Sequence, residues 1–181
     1  MKAGKSKNKG SQWERDLARF FTKWVTGNET PLIFWRTPGS GSFVTNNVSK
    51  DASGDLIAIL PEGTFFTNVI SCEAKNGYND VDLFKHFKVT KNNTLEDFWD
   101  QCIRDAHKVN KYGLLIYKKK GYKPFVGMEE RLLCQLMKLK IDLPRSISIN
   151  FKDKLPTMVL FDMETLFTIL LPEHIKRIKN T

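Results

Sequence analysis

Apolar positions near the N-terminus of the 181-residue chain recur at steps of three and four residues, which predicts an amphipathic helix. The members of this apolar stripe are Trp13, Leu17, Phe20, Phe21 and Trp24. Ser11 has the character of an N-cap, and Glu14 follows it three residues later, as in a capping box. Gly27-Asn28 predicts the end of the helix. Because Glu14 borders the stripe, its carboxylate can either face the fold or cap the helix.

Two compact apolar runs follow the helix, and each predicts a strand. Residues 32–36 form the first run and residues 56–60 form the second. After a turn that contains proline and glycine, we expect residues 64–74 to return as the antiparallel second arm of a hairpin. That hairpin would place Asp55, at the start of one strand, beside Glu73, at the end of its neighbour.

The remaining pattern predicts further helices and strands. They are helices over residues 94–110, 129–140 and 164–171, and strands over residues 114–117, 146–151 and 157–161. Together with the earlier elements they predict an α/β fold, in which helices flank a mixed central sheet and a C-terminal α+β extension follows. The predicted division is a flexible basic arm over 1–10, a core over 11–120 and an extension over 121–181 that packs on the core as one domain.

The net charge of the chain favours a polyanionic partner. Lys and Arg outnumber Asp and Glu by 29 to 20, so the net charge is +9 and the pI is about 9.5. Such an excess favours nucleic acid, because each phosphate neutralised by Lys or Arg releases condensed counterions, although basic ribosomal and membrane-surface proteins share the excess. The chain has neither a membrane-length apolar run nor the apolar segment of a signal peptide, so we expect an intracellular, cytoplasmic protein with no membrane partner.

Cysteine and histidine spacing argues against two other kinds of site. The residues concerned are Cys72, Cys102, Cys134, His86, His107 and His174. They are scattered and form no pair with zinc-ligand spacing, and the odd cysteine count favours reduced thiols. A zinc site and a Cys–His catalytic pair therefore have little support.

Two carboxylates at one end of the predicted hairpin favour metal-dependent phosphodiester hydrolysis. Mg²⁺ takes oxygen ligands and retains several waters, so Asp55, Glu73 and the backbone carbonyl of Ala74 could hold it, with Mn²⁺ as a substitute. Lys75 shares a strand face with Glu73, and its charge could stabilise the scissile phosphate. A Glu-x-Lys pair alone is more often a solvated strand edge. The preceding Gly-Asp strand and the basic chain favour the catalytic interpretation.

Four short motifs occur in order along the first half of the chain. They are Lys9-Gly10-Ser11-x-x-Glu14-Arg15, Arg36-Thr37-Pro38-Gly39-Ser40-Gly41-Ser42, Gly54-Asp55 and Glu73-Ala74-Lys75. This succession resembles the archaeal-type Holliday junction resolvases of the PD-(D/E)XK, or restriction-endonuclease-like, superfamily, over about residues 9–120. The resemblance implies an αβββαβ core and Mg²⁺-dependent cleavage of branched, four-way DNA junctions by a homodimer in recombination and repair.

The resemblance also implies a role for each motif residue. Asp55 and Glu73 would be metal ligands, Glu14 would assist the metal site from its helix, and Lys75 would be the catalytic cation. The residues that would contact DNA are Lys9, Arg15, Arg36, Ser40 and Ser42. Gln101, on the next predicted helix, is a candidate accessory residue, and a helix-packing role competes with that interpretation.

Three departures from the resolvase pattern keep the substrate open. Gly54 stands where the superfamily name has proline, the polar segments 43–53 and 76–93 are long, and residues 121–181 have no counterpart. One alternative is a PD-(D/E)XK endonuclease that acts on duplex, nicked or flapped DNA in repair or restriction. The other is a non-catalytic nucleic-acid-binding protein in which the acidic residues are structural.

Overall fold

A five-stranded mixed sheet lies at the centre of the fold. The computed structural model describes residues 3–37, 53–77, 94–151 and 155–178, with the backbone alone at residues 3–9. The predicted contact residues Ser40 and Ser42, most of the two long polar segments and the side chain of Lys9 therefore lie outside the described residues. Within the described ranges, no helix is both long enough and apolar enough to cross a membrane.

The described residues contain both helices and strands. The helices are α1 (Ala3–Thr26), α2 (Thr64–Val69), α3 (Thr94–His107), α4 (Glu130–Lys138), α5 (Met163–Ile169) and α6 (Pro172–Lys176). The strands are β1 (Phe34–Arg36), β2 (Leu56–Ala58), β3 (Ile70–Asn76), β4 (Tyr112–Lys118), β5 (Phe125–Glu129), β6 (Ile147–Ile149) and β7 (Met158–Asp162). Apart from the short α2, the order up to β4 is αβββαβ. The predicted α/β class and restriction-endonuclease-like core are confirmed.

The central sheet has the strand order β3-β4-β5-β7-β6. β3 and β4 run parallel, with Glu73 opposite Leu115 and Lys75 opposite Tyr117. The other neighbours in the sheet are antiparallel, while β1 and β2 form a separate two-stranded antiparallel sheet. The C-terminal extension thus adds three strands to the sheet of the core, and β3 is left as an edge strand.

Two hydrophobic clusters cover the two faces of β4, because successive side chains on a strand point to opposite faces. Leu114 and Ile116 belong to the cluster that contains the buried face of α1. Leu115 and Tyr117 belong to the cluster around Trp99 of α3. Helices α1 and α3 therefore pack on opposite faces of the sheet, and each can present side chains at the outer edge of β3.

α1 begins earlier than the sequence pattern predicts. It starts at Ala3, so Ser11 lies inside the helix and residues 3–10 are part of it rather than a separate arm. The first turns of α1 were not predicted, because an apolar stripe marks only the part of a helix that packs on a core. A capping-box role for Glu14 is therefore wrong, since the backbone N–H groups around it bond within the helix. The predicted end is confirmed by Gly27, which has a positive φ of 77°.

The predicted hairpin between residues 56 and 74 is wrong. β2 pairs with β1, and the segment after the Pro61–Gly63 turn forms α2 instead of a strand. Phe66 and Val69 are buried three residues apart on one face of α2, whereas Thr64 is exposed. Burial at helical spacing therefore outweighs the β propensity of the aromatic and β-branched residues in this segment.

The structure contains the helices and strands that were predicted for the second half of the chain. The expected helices correspond to α3, α4 and α5, and the expected strands correspond to β4, β6 and β7. β5 and α6 were not predicted. β5 is five residues long, contains Gly127 and ends on the charged Glu129, so it lacks a compact apolar signal.

Candidate active site

A parallel bridge between Gly54 and Cys72 joins the start of β2 to the outer edge of β3. The backbone N–H of Asp55 donates to the carbonyl of Cys72 at 2.7 Å. Gly54 has a φ of +78°, and a Cβ there would lie against the Cys72 backbone, 2.9 Å from its nitrogen. Gly54 stands where the motif that names the superfamily has proline. Glycine is required there because of the positive φ and the close approach of the Cys72 backbone.

The side chain of Asp55 turns back onto β3. Its Oδ2 accepts a hydrogen bond from the backbone N–H of Ala74 at 2.8 Å. The N–H and C=O of one residue point to the same side of a strand, so the Ala74 carbonyl also faces this edge. A parallel contact thus brings Asp55 beside Glu73, in place of the predicted hairpin.

Lys75 links β3 to α3. Its Nζ donates to Oε1 of Glu73 at 2.5 Å and to Oε1 of Gln101 at 3.0 Å. The same Nζ lies 5.3 Å from the ring centroid of Phe98. The structure therefore brings together Asp55, Glu73, Lys75 and the candidate accessory residue Gln101.

Burial raises the pKa of both carboxylates at this edge. The pKa of Glu73 rises to about 7, first because the side chain is buried and second because of the Asp55 charge, against the opposing effect of Lys75. Burial also raises the pKa of Asp55, and the Ala74 N–H and the Lys75 charge offset part of that rise. A buried glutamate and a half-buried aspartate, both with raised pKa values and with the Asp55 charge acting on Glu73, form a place where a cation is stabilising.

Glu14 approaches the same edge from α1. Its Oε2 forms an ion pair with Nη1 of Arg36 on β1 at 3.3 Å. Burial raises the pKa of Glu14, and the Asp55 charge is the next cause. Glu14 therefore borders the carboxylate pair, and the predicted DNA-contacting residue Arg36 is engaged with it.

Of the other predicted DNA-contacting residues, only Arg15 has a described side chain. Its Nη2 donates to Oε1 of Gln12 at 3.1 Å on the exposed surface of α1. The contacts predicted for Lys9, Ser40 and Ser42 stay predictions.

Asp105 acts electrostatically on the carboxylate pair, an effect that the sequence patterns did not reveal. Its charge raises the pKa of Asp55 and of Glu73, although its carboxylate also pairs with Lys108 at 2.8 Å. It lies four residues after Gln101 on α3, which places both on one helix face. That spacing was the signal available in the sequence.

The donor atoms at this edge fit a hard divalent ion. Among the described residues, no three His, Cys, Asp or Glu side chains form a ready metal-ligating group. An ion here would therefore be held by Asp55, Glu73 and the Ala74 carbonyl, with water completing its shell, an arrangement that Mg²⁺ accepts. Nearby Cys72 is buried, and burial raises its pKa well above the usual value, so it is a protonated thiol rather than a thiolate ligand.

Comparisons with known proteins point to one family. The family model described as "Phage putative PDDEXK endonuclease" matches residues 5–177. Protein D14 of Escherichia phage T5 is 31% identical over 117 residues, which cover 63% of this chain and 64% of that protein. The match therefore spans less than two thirds of the length of that relative. No solved structure matches the chain significantly.

Proposed function

This chain belongs to the PDDEXK family of phage endonucleases, and on that premise we propose that it is a Mg²⁺-dependent DNA endonuclease that cleaves branched DNA, preferably four-way junctions. Nucleases of the PD-(D/E)XK type generally use divalent metals, and the net charge of +9 suits a polyanionic substrate. One observation carries the proposal: Asp55, Glu73 and Lys75 meet at the outer edge of β3, with Glu73 buried, Asp55 half-buried and the pKa values of both carboxylates raised.

Each side chain at the edge has a proposed task. Asp55 and Glu73, with the Ala74 carbonyl, would hold the metal ion, and Glu14 would assist from α1. A bound divalent ion supplies positive charge to the scissile phosphate and lowers the pKa of a water. Lys75, fixed between Glu73 and Gln101, adds a second positive charge for the phosphate. Gln101 is a positioning residue, because it acts through Lys75.

The proposed DNA contacts extend from this edge along α1 and β1. Arg36 lies at the end of β1 and pairs with Glu14, so its guanidinium borders the carboxylates. Arg15 is the neighbour of Glu14 on α1. Lys9, Ser40 and Ser42 complete the proposed set of phosphate contacts. Arg and Lys on both elements would fix the register of a DNA backbone across the site.

The preference for branched DNA is supported by the motif order, which resembles that of the archaeal-type resolvases. Paired nicks across a four-way junction need two active sites related by a twofold axis, so we propose that the active form is a homodimer. The matching family is described as an endonuclease without a named substrate. The same site acting on duplex, nicked or flapped DNA in repair or restriction is therefore the second candidate.

A cleavage assay with matched substrates tests the proposal. With Mg²⁺, wild-type protein should place paired nicks in a labelled four-way junction and cut a linear duplex of the same sequence much more slowly. Asp55→Asn should cut the junction about 100-fold more slowly or worse, the scale expected when a group that stabilises the transition state is removed. The matched control is Asp142→Asn, since Asp142 is exposed in the segment between α4 and β6.

Each contrary outcome has a distinct meaning. If Asp55→Asn cuts at the wild-type rate, the proposed metal site is wrong. If the wild type cuts the linear duplex as fast as the junction, the second candidate replaces the junction-resolving one. If the wild type binds these DNAs but cuts none of them with Mg²⁺ or Mn²⁺, the protein is a non-catalytic nucleic-acid-binding protein.

A further inference from the structure

The turn between β4 and β5 presents an exposed aromatic ring among lysines. We call residues 118–123, with the sequence Lys-Lys-Lys-Gly-Tyr-Lys, the β4–β5 turn. Tyr122 is 68% exposed, whereas Tyr112 and Tyr117 of β4 are buried. A single exposed ring is ordinary on a protein surface. Tyrosine is nevertheless enriched at interfaces, where its ring is apolar and its hydroxyl polar, and this ring lies among several like charges.

The backbone of the turn holds this ring outward. The N–H of Tyr122 donates to the carbonyl of Lys119 at 3.1 Å. Gly121 has a φ of +82° at the third position of this four-residue turn, where type II turns need a positive φ. Nζ of Lys119 lies 5.4 Å from the centroid of the Tyr122 ring. A tight turn therefore presents a tyrosine with a cation against its ring.

The β4–β5 turn begins beside the candidate active site. β4 pairs with β3 so that Tyr117 is opposite Lys75 and Lys118 is opposite Asn76. Neighbouring strands lie about 4.8 Å apart, so the turn starts one strand spacing from the residue that follows Lys75. On the other face of the sheet, Nζ of Lys118 lies 4.8 Å from the ring centroid of Trp13, the chain neighbour of Glu14.

We propose that the β4–β5 turn is a DNA-contacting element in which Lys118, Lys119 and Lys120 bind backbone phosphates and Tyr122 stacks on an unpaired base. This inference rests on the proposed nuclease function and narrows its substrate class. The occupant follows from charge, because three consecutive lysines suit a polyanion, whereas the fourth lysine of the turn, Lys123, pairs with Glu164. An aromatic ring accepts any base whose face is accessible. A continuous duplex hides its base faces in the stack, whereas a branch point or flap exposes them. The turn therefore favours DNA with splayed bases.

Binding without metal tests the stacking contact. Wild type, Tyr122→Ala and Tyr122→Phe are titrated in EDTA, by fluorescence anisotropy, against a four-way junction, a flapped duplex with a single-stranded arm and a linear duplex. Tyr122→Ala should raise Kd for the flapped duplex about 5- to 150-fold, the equivalent of roughly 1–3 kcal/mol per stacked base, and leave the linear duplex nearly unchanged. Tyr122→Phe keeps the ring and should bind as wild type does.

A matched control removes another exposed side chain. Met137 on α4 is 61% exposed, so Met137→Ala truncates a comparable surface residue outside the turn. It should leave every Kd unchanged, and an unchanged Tm for Tyr122→Ala shows that the variant is folded. The stacking proposal is overturned if Tyr122→Ala binds the flapped duplex as tightly as wild type. Equal weakening on all three DNAs overturns it as well, because the contact would then not depend on an accessible base.

The salt dependence of binding tests the phosphate contacts of the turn. Lys120→Ala should reduce the slope of log Kd against log salt concentration by about 0.9 on duplex DNA, the value for one lost phosphate contact. Lys138→Ala on α4 is the matched control and should leave the slope as it is. An unchanged slope in Lys120→Ala contradicts the assignment of that lysine.

These outcomes separate the turn from the nuclease proposal. If the wild type cuts no DNA and Tyr122→Ala still loses affinity for the flapped duplex, the nuclease function fails and the turn proposal holds. If cleavage depends on Asp55 and Tyr122→Ala binds normally, the turn proposal fails alone.

Discussion

Two buried glutamates on the central sheet have opposite surroundings. Glu73 on β3 is 6% exposed, and Glu129 at the end of β5 is fully buried. The Glu129 carboxylate accepts hydrogen bonds from the backbone N–H of Gly113 at 3.1 Å and from Nε of Arg131 at 2.5 Å, and Nε2 of His107 lies 3.1 Å from it. The protein itself thus satisfies this carboxylate, as a structural buried charge requires.

The Glu73 carboxylate is satisfied less completely. Within the described residues it receives a hydrogen bond from Lys75, and that ammonium is shared with Gln101. It also lies close enough to Asp55 for the Asp55 charge to help raise its pKa to about 7. A buried carboxylate that faces another carboxylate retains a need for positive charge, which a divalent ion can meet. Burial alone therefore does not distinguish a site residue from a structural one, whereas the sign of the neighbouring charges does.

The largest expected effect comes from the same substitution at both positions. Glu73→Gln should lower the rate of DNA cleavage by about 100-fold or more and leave the metal-free stability unchanged or higher, because it removes a repelled charge. Glu129→Gln should leave the cleavage rate per folded molecule unchanged. It should lower the free energy of unfolding by about 1–3 kcal/mol, because hydrogen bonds to a charged group are lost.

Urea unfolding and single-turnover nicking of one DNA substrate measure both quantities for both variants. The distinction between a site glutamate and a structural glutamate is contradicted if folded Glu129→Gln no longer cleaves DNA. It is also contradicted if Glu73→Gln cleaves DNA as fast as the wild type.

A pH series without metal gives the next largest effect. The pKa of Glu73 in the folded protein is about 7, above its ordinary value of 4.5, so the folded state binds more protons than the unfolded state between these values. Stability should therefore fall as pH rises from about 4.5 to about 7 and level off above that, by at most about 3.5 kcal/mol at about 1.4 kcal/mol per pKa unit.

The difference in unfolding free energy between wild type and Glu73→Gln isolates this contribution across the pH series. Added Mg²⁺ should reduce the loss, because a cation at the edge stabilises the charged form. A difference that stays flat between pH 4.5 and pH 7 would contradict the surroundings inferred for Glu73.

The site residues could be predicted from the sequence more readily than their geometry. Strand alternation places Glu73 and Lys75 on one face without any knowledge of the fold. The sequence also predicted that Asp55 and Glu73 lie side by side, but through an antiparallel hairpin. The structure joins them through the parallel Gly54–Cys72 bridge, and the sequence shows only a glycine as a sign of that close approach.

Glu129 shows why the rest could not be predicted. In the sequence it is a charged residue at the start of an amphipathic segment, as surface helices often have. Its burial depends on Gly113 and His107, which come from β4 and α3. Such contacts between distant segments leave no local pattern. The early start of α1 and the helical α2 were missed for related reasons, since apolar periodicity reports buried positions and not the length of an element.

The smallest predicted effect concerns Gln101, which shares the Lys75 ammonium with Glu73. Lys75 donates to both Glu73 and Gln101, so the loss of Gln101 should leave the ammonium to Glu73 and make that carboxylate resemble the fully paired Glu129. Gln101→Ala should therefore weaken Mg²⁺ binding at the site, raising the Mg²⁺ concentration for half-maximal cleavage about tenfold, the lower end of the effect of outer-shell substitutions. Gln135→Ala on α4, where the lost partner is Lys138, is the matched control. A Mg²⁺ titration midpoint equal to that of Gln135→Ala would mean that Gln101 packs α3 and does not position Lys75.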